Sequence, residues 1–93
     1  MKTTANETYK IYNEVLSIKA KKRNWDLIVL VKRGDYYEAY EQDADQVSGH
    51  CGVGQFNRNG CLLNIAGFHK DYFHIYLPKL MKAGFNVSIL YKA

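Results

Sequence analysis

Ninety-three residues suffice for one domain with a single core, and 47% apolar against 24% charged residues is a globular balance that excludes a disordered chain. The net charge of +4 and a pI near 9.1 are compatible with a polyanionic partner without requiring one. No apolar run approaches the roughly 20 residues that span a bilayer, and Met1 to Asn6 lack the apolar stretch of a secretory signal, so a cytoplasmic chain with no membrane partner is expected.

Thr4-Ala5-Asn6-Glu7 fits a capping box, and Tyr9, Tyr12, Leu16 and Ala20 follow at helical spacing, which predicts a helix over about residues 5 to 22. Its end carries the densest basic patch, Lys19, Lys21, Lys22 and Arg23. These are either cations stabilising a helix C-terminus or contacts for phosphate. Leu27-Ile28-Val29-Leu30-Val31 is short and β-branched and ends in Lys32-Arg33-Gly34, the pattern of a buried strand closing in a turn. Tyr36 to Tyr40 continues as a second extended segment. Strand alternation puts Tyr36 and Glu38 on one face and Tyr37 and Ala39 on the other. Glu41 to Val47 is acidic and suits a helix start, before Gly49, Gly52 and Gly54 break regularity. Those glycines are not a phosphate loop, because no Gly-Lys-Ser/Thr follows. Val53 to Phe56 and Cys61 to Ala66 read as strands joined across Asn57-Arg58-Asn59-Gly60. Phe73, Tyr76, Leu77, Leu80 and Met81 have the spacing of a helix packed on a sheet. Pro78 predicts either a kink in that helix or a start just before it. Gly84 ends the helix, and Phe85 to Tyr91 is the last strand. The sum is one α/β domain over residues 1–93, a mixed β-sheet flanked by about three helices.

Gly34-Asp35-Tyr36-Tyr37-Glu38 after an apolar strand resembles the N-terminal mismatch-recognition domain of the MutS family, whose hallmark is Phe-x-Glu. Other blocks resemble it in family order: Tyr12 to Ala20 its first helix, then Ala66-Gly67, then Tyr76-Leu77-Pro78-Lys79-Leu80 and Ala83 to Ile89 its closing helix and strand. The resemblance implies that Tyr36 matches the family's intercalating Phe, stacking on a base at a mispair and helping to kink the duplex. Glu38 matches the carboxylate that hydrogen-bonds the wedged base. The phosphate potential favours its protonated form there, and its charge discriminates against intact duplex. The implied partner is double-stranded DNA, preferentially mismatched or deformable, held by Tyr36, Glu38, Lys21, Lys22 and Arg23. Family members also carry clamp and ATPase domains, so another protein chain is implied to supply them. Tyr in place of Phe, and His69-Lys70-Asp71 in place of a stretch usually bearing Pro and His, depart from the family pattern.

Two other classes stay open. A protein-interaction module would show Tyr and Phe exposed beyond the needs of a core. A metal-dependent nuclease could be assembled from Asp35, Glu38, Asp43 and Asp45, but those acids suit turns and helix starts, and no catalytic Lys or His sits in a matching motif. Cys51 and Cys61 are too few for a disulfide scaffold and lack zinc-site spacing, and His50, His69 and His74 form no supporting pattern. No metal, cofactor or catalytic residue is therefore expected.

Overall fold

The apolar run of residues 27–31 supplies an interior strand of the sheet. In the computed structural model, which describes the backbone of residues 4–92, β1 (Ile28–Arg33) has a neighbour on each side: it pairs antiparallel with β2 (Tyr36–Tyr40) and parallel with β5 (Val87–Lys92). β4 (Ile65–His69) pairs antiparallel with β2, and the two-residue β3 (Gln55–Phe56) closes the far edge, giving the order β3-β4-β2-β1-β5. Because β1 is covered on both faces, its alternating side chains enter two cores, which is why the run is apolar at every position. Ile28 and Leu30 join Tyr37, Ala39, Ala66, Phe68 and Leu80 on one face, and Val29 and Val31 join Ile11, Val15, Tyr40 and Ile65 on the other.

The helix α1 (Thr4–Lys22) covers the second face. Its buried stripe is Thr8, Ile11, Val15 and Lys19, so the expected face of Tyr9, Tyr12, Leu16 and Ala20 is rotated by one position. The two polar members hid the stripe. Lys19 is buried because its Nζ pairs with Asp43 at 2.6 Å, while the other Asp43 oxygen accepts from Val29 N at 3.1 Å. Lys19 therefore drops out of the surface basic patch. The side chain of Thr4, the expected cap, lies outside the described residues.

The helices α2 (Gln42–Cys51) and α3 (Phe73–Lys82) cover the first face. Gly49 does not interrupt α2, which ends instead at Gly52, where φ is +75°. The expected hairpin forms, with β3 and β4 antiparallel, but its strands are Gln55–Phe56 and Ile65–His69, so Asn57 to Gly60 makes up only part of the connection. Residues 57–64 form a loop, closed by Asn57 Nδ2 donating to Leu63 O at 2.8 Å and Asn64 Oδ1 at 3.1 Å, with Cys61 and Leu63 turned inward. A 3-10 turn, Lys70–Tyr72, leads into α3, so the helix starts well before Pro78 and contains it. Leu80 is buried and Phe73 and Tyr76 pack on the core, whereas Met81 points outward. No helix among the described residues is long and apolar enough to cross a membrane.

Candidate nucleic-acid interface

The turn between β1 and β2 is fixed before any side chain is considered. Gly34 takes φ +61°, a conformation that costs a residue bearing Cβ, and Lys32 Nζ donates to its carbonyl at 2.8 Å. From the 3-10 turn after β4, Lys70 N donates to Asp35 O at 2.8 Å and Lys70 Nζ lies 3.3 Å from the Asp35 carboxylate. Tyr36 follows this braced turn as the first residue of β2, in register with Arg33 and His69. It is 53% exposed, and the His69 ring meets it edge-on with centroids 5.2 Å apart. His69 is itself held by the Asp71 N–H, which donates to Nδ1 at 3.1 Å. A large ring thus stands at a rigid strand end, open to solvent.

Glu38 lies two residues on, and strand alternation keeps it on the Tyr36 face. It is not a solvent-facing carboxylate, as a simple strand-end reading requires, but only 5% exposed. Arg58 grips it with both prongs of its guanidinium, Nη1 donating to Oε1 at 3.0 Å and Nη2 to Oε2. The Tyr40 hydroxyl donates to Oε1 at 2.7 Å, and Arg33 Nη1 lies 3.5 Å from the same oxygen. Burial alone would push the carboxyl up, but the bonds from Arg58 and Tyr40 and the charges of Arg58 and Arg33 outweigh it and hold Glu38 below the ordinary carboxylate value. In the free domain it is an anion, not the protonated donor expected beside phosphate. Arg33 is anchored in turn by α1, donating to Glu7 at 2.8 Å and to Thr8 Oγ1 at 3.2 Å.

Arg33 and Arg58 are the site residues that sequence reasoning missed. Arg33 adjoins the turn and was readable only as part of its basic lead-in. Arg58 is twenty positions from Glu38, on the 57–64 loop, and nothing in the sequence couples the two. Lys21, Lys22 and Arg23 are exposed, but they lie at the C-terminal end of α1, at the end of the sheet where β1 begins. At about 3.3 Å per strand residue, the length of β1 separates that end from Tyr36 by roughly 17 Å. The structure does not bring these three residues together with Tyr36 and Glu38. Arg33 is the register partner of Tyr36 and Lys70 follows its other partner, His69, while Arg58 sits on Glu38 two residues away and the Lys32 ammonium lies over the Tyr37 ring on the opposite face.

The four acids that could have formed a nuclease centre are dispersed and each is engaged: Asp35 by Lys70, Glu38 by Arg58, Asp43 by Lys19, and Asp45 by the Gln55 amide at 3.0 Å. Among the described residues, no group of three or more His, Cys, Asp or Glu side chains is placed to hold a metal ion. The other exposed aromatic rings among the described residues, Tyr9, Trp25, Phe56, Tyr72 and Tyr91, are scattered over α1, the turn after it, β3, the 3-10 turn and β5.

The family profile described as MutS domain I matches residues 11–93. Among curated relatives, a protein from Bacteroides thetaiotaomicron is 37% identical over 79 residues, 82% of this chain and 9% of the relative. One from Flavobacterium johnsoniae is 35% identical over 83 residues, 86% of this chain and 9% of the relative. A third, from Phocaeicola vulgatus, is 39% identical over 72 residues, 74% of this chain and 8% of the relative. Each bears the name DNA mismatch repair protein MutS, and the chain spans less than a tenth of their length.

Proposed function

The chain belongs to the MutS domain I family, and on that premise we propose that it binds double-stranded DNA in mismatch repair, without enzymatic activity, preferring mispaired or easily deformed duplex. One observation carries this reading: a half-exposed Tyr36 on a braced strand end, between Arg33 and the His69-Lys70 corner, with the Arg58–Glu38 pair two residues along the same face. A ring held that way can enter a stack where unstacking is cheap, and the surrounding cations can take the phosphates of the bent duplex. Tyr36 is the wedge and Glu38 the carboxylate that meets the wedged base. Lys21, Lys22 and Arg23 supply a second, non-specific contact at the far end of the sheet.

The reading is tested by titrating matched and mismatched duplexes at several salt concentrations. Tyr36→Ala should erase the preference for mismatched duplex and leave most non-specific binding, because phosphate contacts are common to both duplexes. An unchanged affinity ratio would show that Tyr36 is no wedge. The exposed rings of Trp25, Phe56, Tyr72 and Tyr91 support a second reading, a protein-interaction module. No association with either duplex at low salt would favour that module.

A further inference from the structure

Glu38 cannot serve a base while Arg58 holds it. Both carboxylate oxygens face the Arg58 guanidinium, and Oε1 also receives the Tyr40 hydroxyl at 2.7 Å. Arg58 is placed differently from the residue it covers. Its side chain is 23% exposed against 7% for Glu38, and its guanidinium lies over the Phe56 ring with 5.8 Å between the Cζ atom and the centroid. Its backbone is tied down: Cys61 N donates to Arg58 O at 2.9 Å, and the Asn57 amide closes the loop. The side chain can therefore swing outward by rotamer change without opening the loop. A guanidinium fork that fits a carboxylate fits a phosphate equally well.

We propose that Arg58 is a specificity-determining residue that gates Glu38, capping it in the free domain and moving onto a DNA phosphate when Tyr36 enters a mispair. The gate rests on the wedge reading of Tyr36. On matched duplex the ring stays outside the stack, no base comes within reach of Glu38, and nothing offsets the broken two-pronged bond. At a mispair the inserted ring draws the backbone in, Arg58 exchanges one anion for another, and the carboxylate is uncovered beside the base. Glu38 does not collapse when Arg58 leaves. Tyr40 still donates to it, and Arg33, fixed by Glu7 and Thr8, keeps a positive charge 3.5 Å away.

Nuclear magnetic resonance on the unsubstituted chain tests the gate. The Arg58 Nη protons, slowed by the two-pronged bond, and the Glu38 carboxyl carbon are followed as each duplex is added to saturation. Both signals should change with mismatched duplex and stay as they are with matched duplex. In parallel, Arg58→Gln should lower the salt slope of mismatched binding by about one, the loss of a single phosphate contact, and leave the matched slope unchanged. Two results overturn the gate while leaving the wedge standing, provided Tyr36→Ala still abolishes the mismatch preference. One is Arg58 and Glu38 signals that mismatched duplex does not move. The other is signals that both duplexes move alike. If Tyr36→Ala leaves the preference intact, the wedge falls and the gate falls with it. The spectroscopic arm needs no substitution at Arg58, so it decides the question even if Arg58→Gln folds poorly.

Discussion

Tyr36 and Tyr40 occupy one face of one strand and have opposite fates. Tyr40 is 2% exposed and its hydroxyl is pushed above the ordinary phenol value, by burial first and by the adjacent Glu38 charge second. Tyr36, at the solvent end, keeps its ring free. For Tyr36 the hydroxyl is a burden in a groove, since it must be desolvated or paired there. Tyr36→Phe is therefore expected to keep or sharpen the mismatch preference that Tyr36→Ala removes, a difference bounded by the roughly 1–3 kcal/mol of a base–aromatic stack and read from paired duplex titrations. Glu38 makes a separate prediction about stability. Its folded pKa is depressed, so the folded state holds its proton less readily than the unfolded chain. The stabilisation is complete above the ordinary value of 4.5 and is lost as pH falls through the lower folded value. Thermal midpoints of the unsubstituted chain and of Glu38→Gln should differ at neutral pH and converge below that value. Midpoints that stay equally far apart in acid would remove the ion pair as the cause.

At the scale of elements, β4 approaches β2 so closely that at one position a Cβ would crowd the neighbouring backbone. Gly67 is the register partner of Glu38, and a Cβ there would meet Tyr37 O at 3.1 Å and Glu38 Cγ at 3.6 Å. Gly67→Ala should cost about 1–3 kcal/mol, measured by denaturant unfolding, because backbone and not a flexible tip must give way. An equally stable variant would mean that β4 shifts freely and Glu38 is not held from that side. The elements legible in the sequence were those with a local cause. The apolar run of β1, Gly34 after it and the alternation in Tyr36–Tyr40 all act within a few residues. What was not legible depends on partners distant in the chain. The face of α1 turned by one position because Lys19 is admitted to the interior only by Asp43, and the hairpin connection lengthened to residues 57–64 because Cys61 and Leu63 turn inward. Arg58 stayed hidden for the same reason, its role being defined wholly by a carboxylate on another strand.

For the molecule as a whole, charge is divided between two ends of the sheet. A small module of net charge +4 offers few phosphate contacts, so non-specific affinity should lie near roughly 10⁻⁴–10⁻⁶ M and fall with salt. Neutralising Lys21, Lys22 and Arg23 together should weaken matched and mismatched binding alike and lower both salt slopes, since that end is remote from Tyr36. A selective loss of mismatched binding would instead place those residues at the wedge. The parallel pairing of β1 with β5 bears on how such a molecule comes into being. Ile28 is registered against Val87 and Arg33 against Lys92, so β1 waits for a strand far downstream in the chain before it is enclosed on both sides. Closing so long a stretch of chain is slow compared with forming the local hairpin of β1 and β2. During synthesis, the apolar strand at the heart of the sheet therefore remains half-paired until its final neighbour has left the ribosome, and that interval is when the chain is most exposed to aggregation.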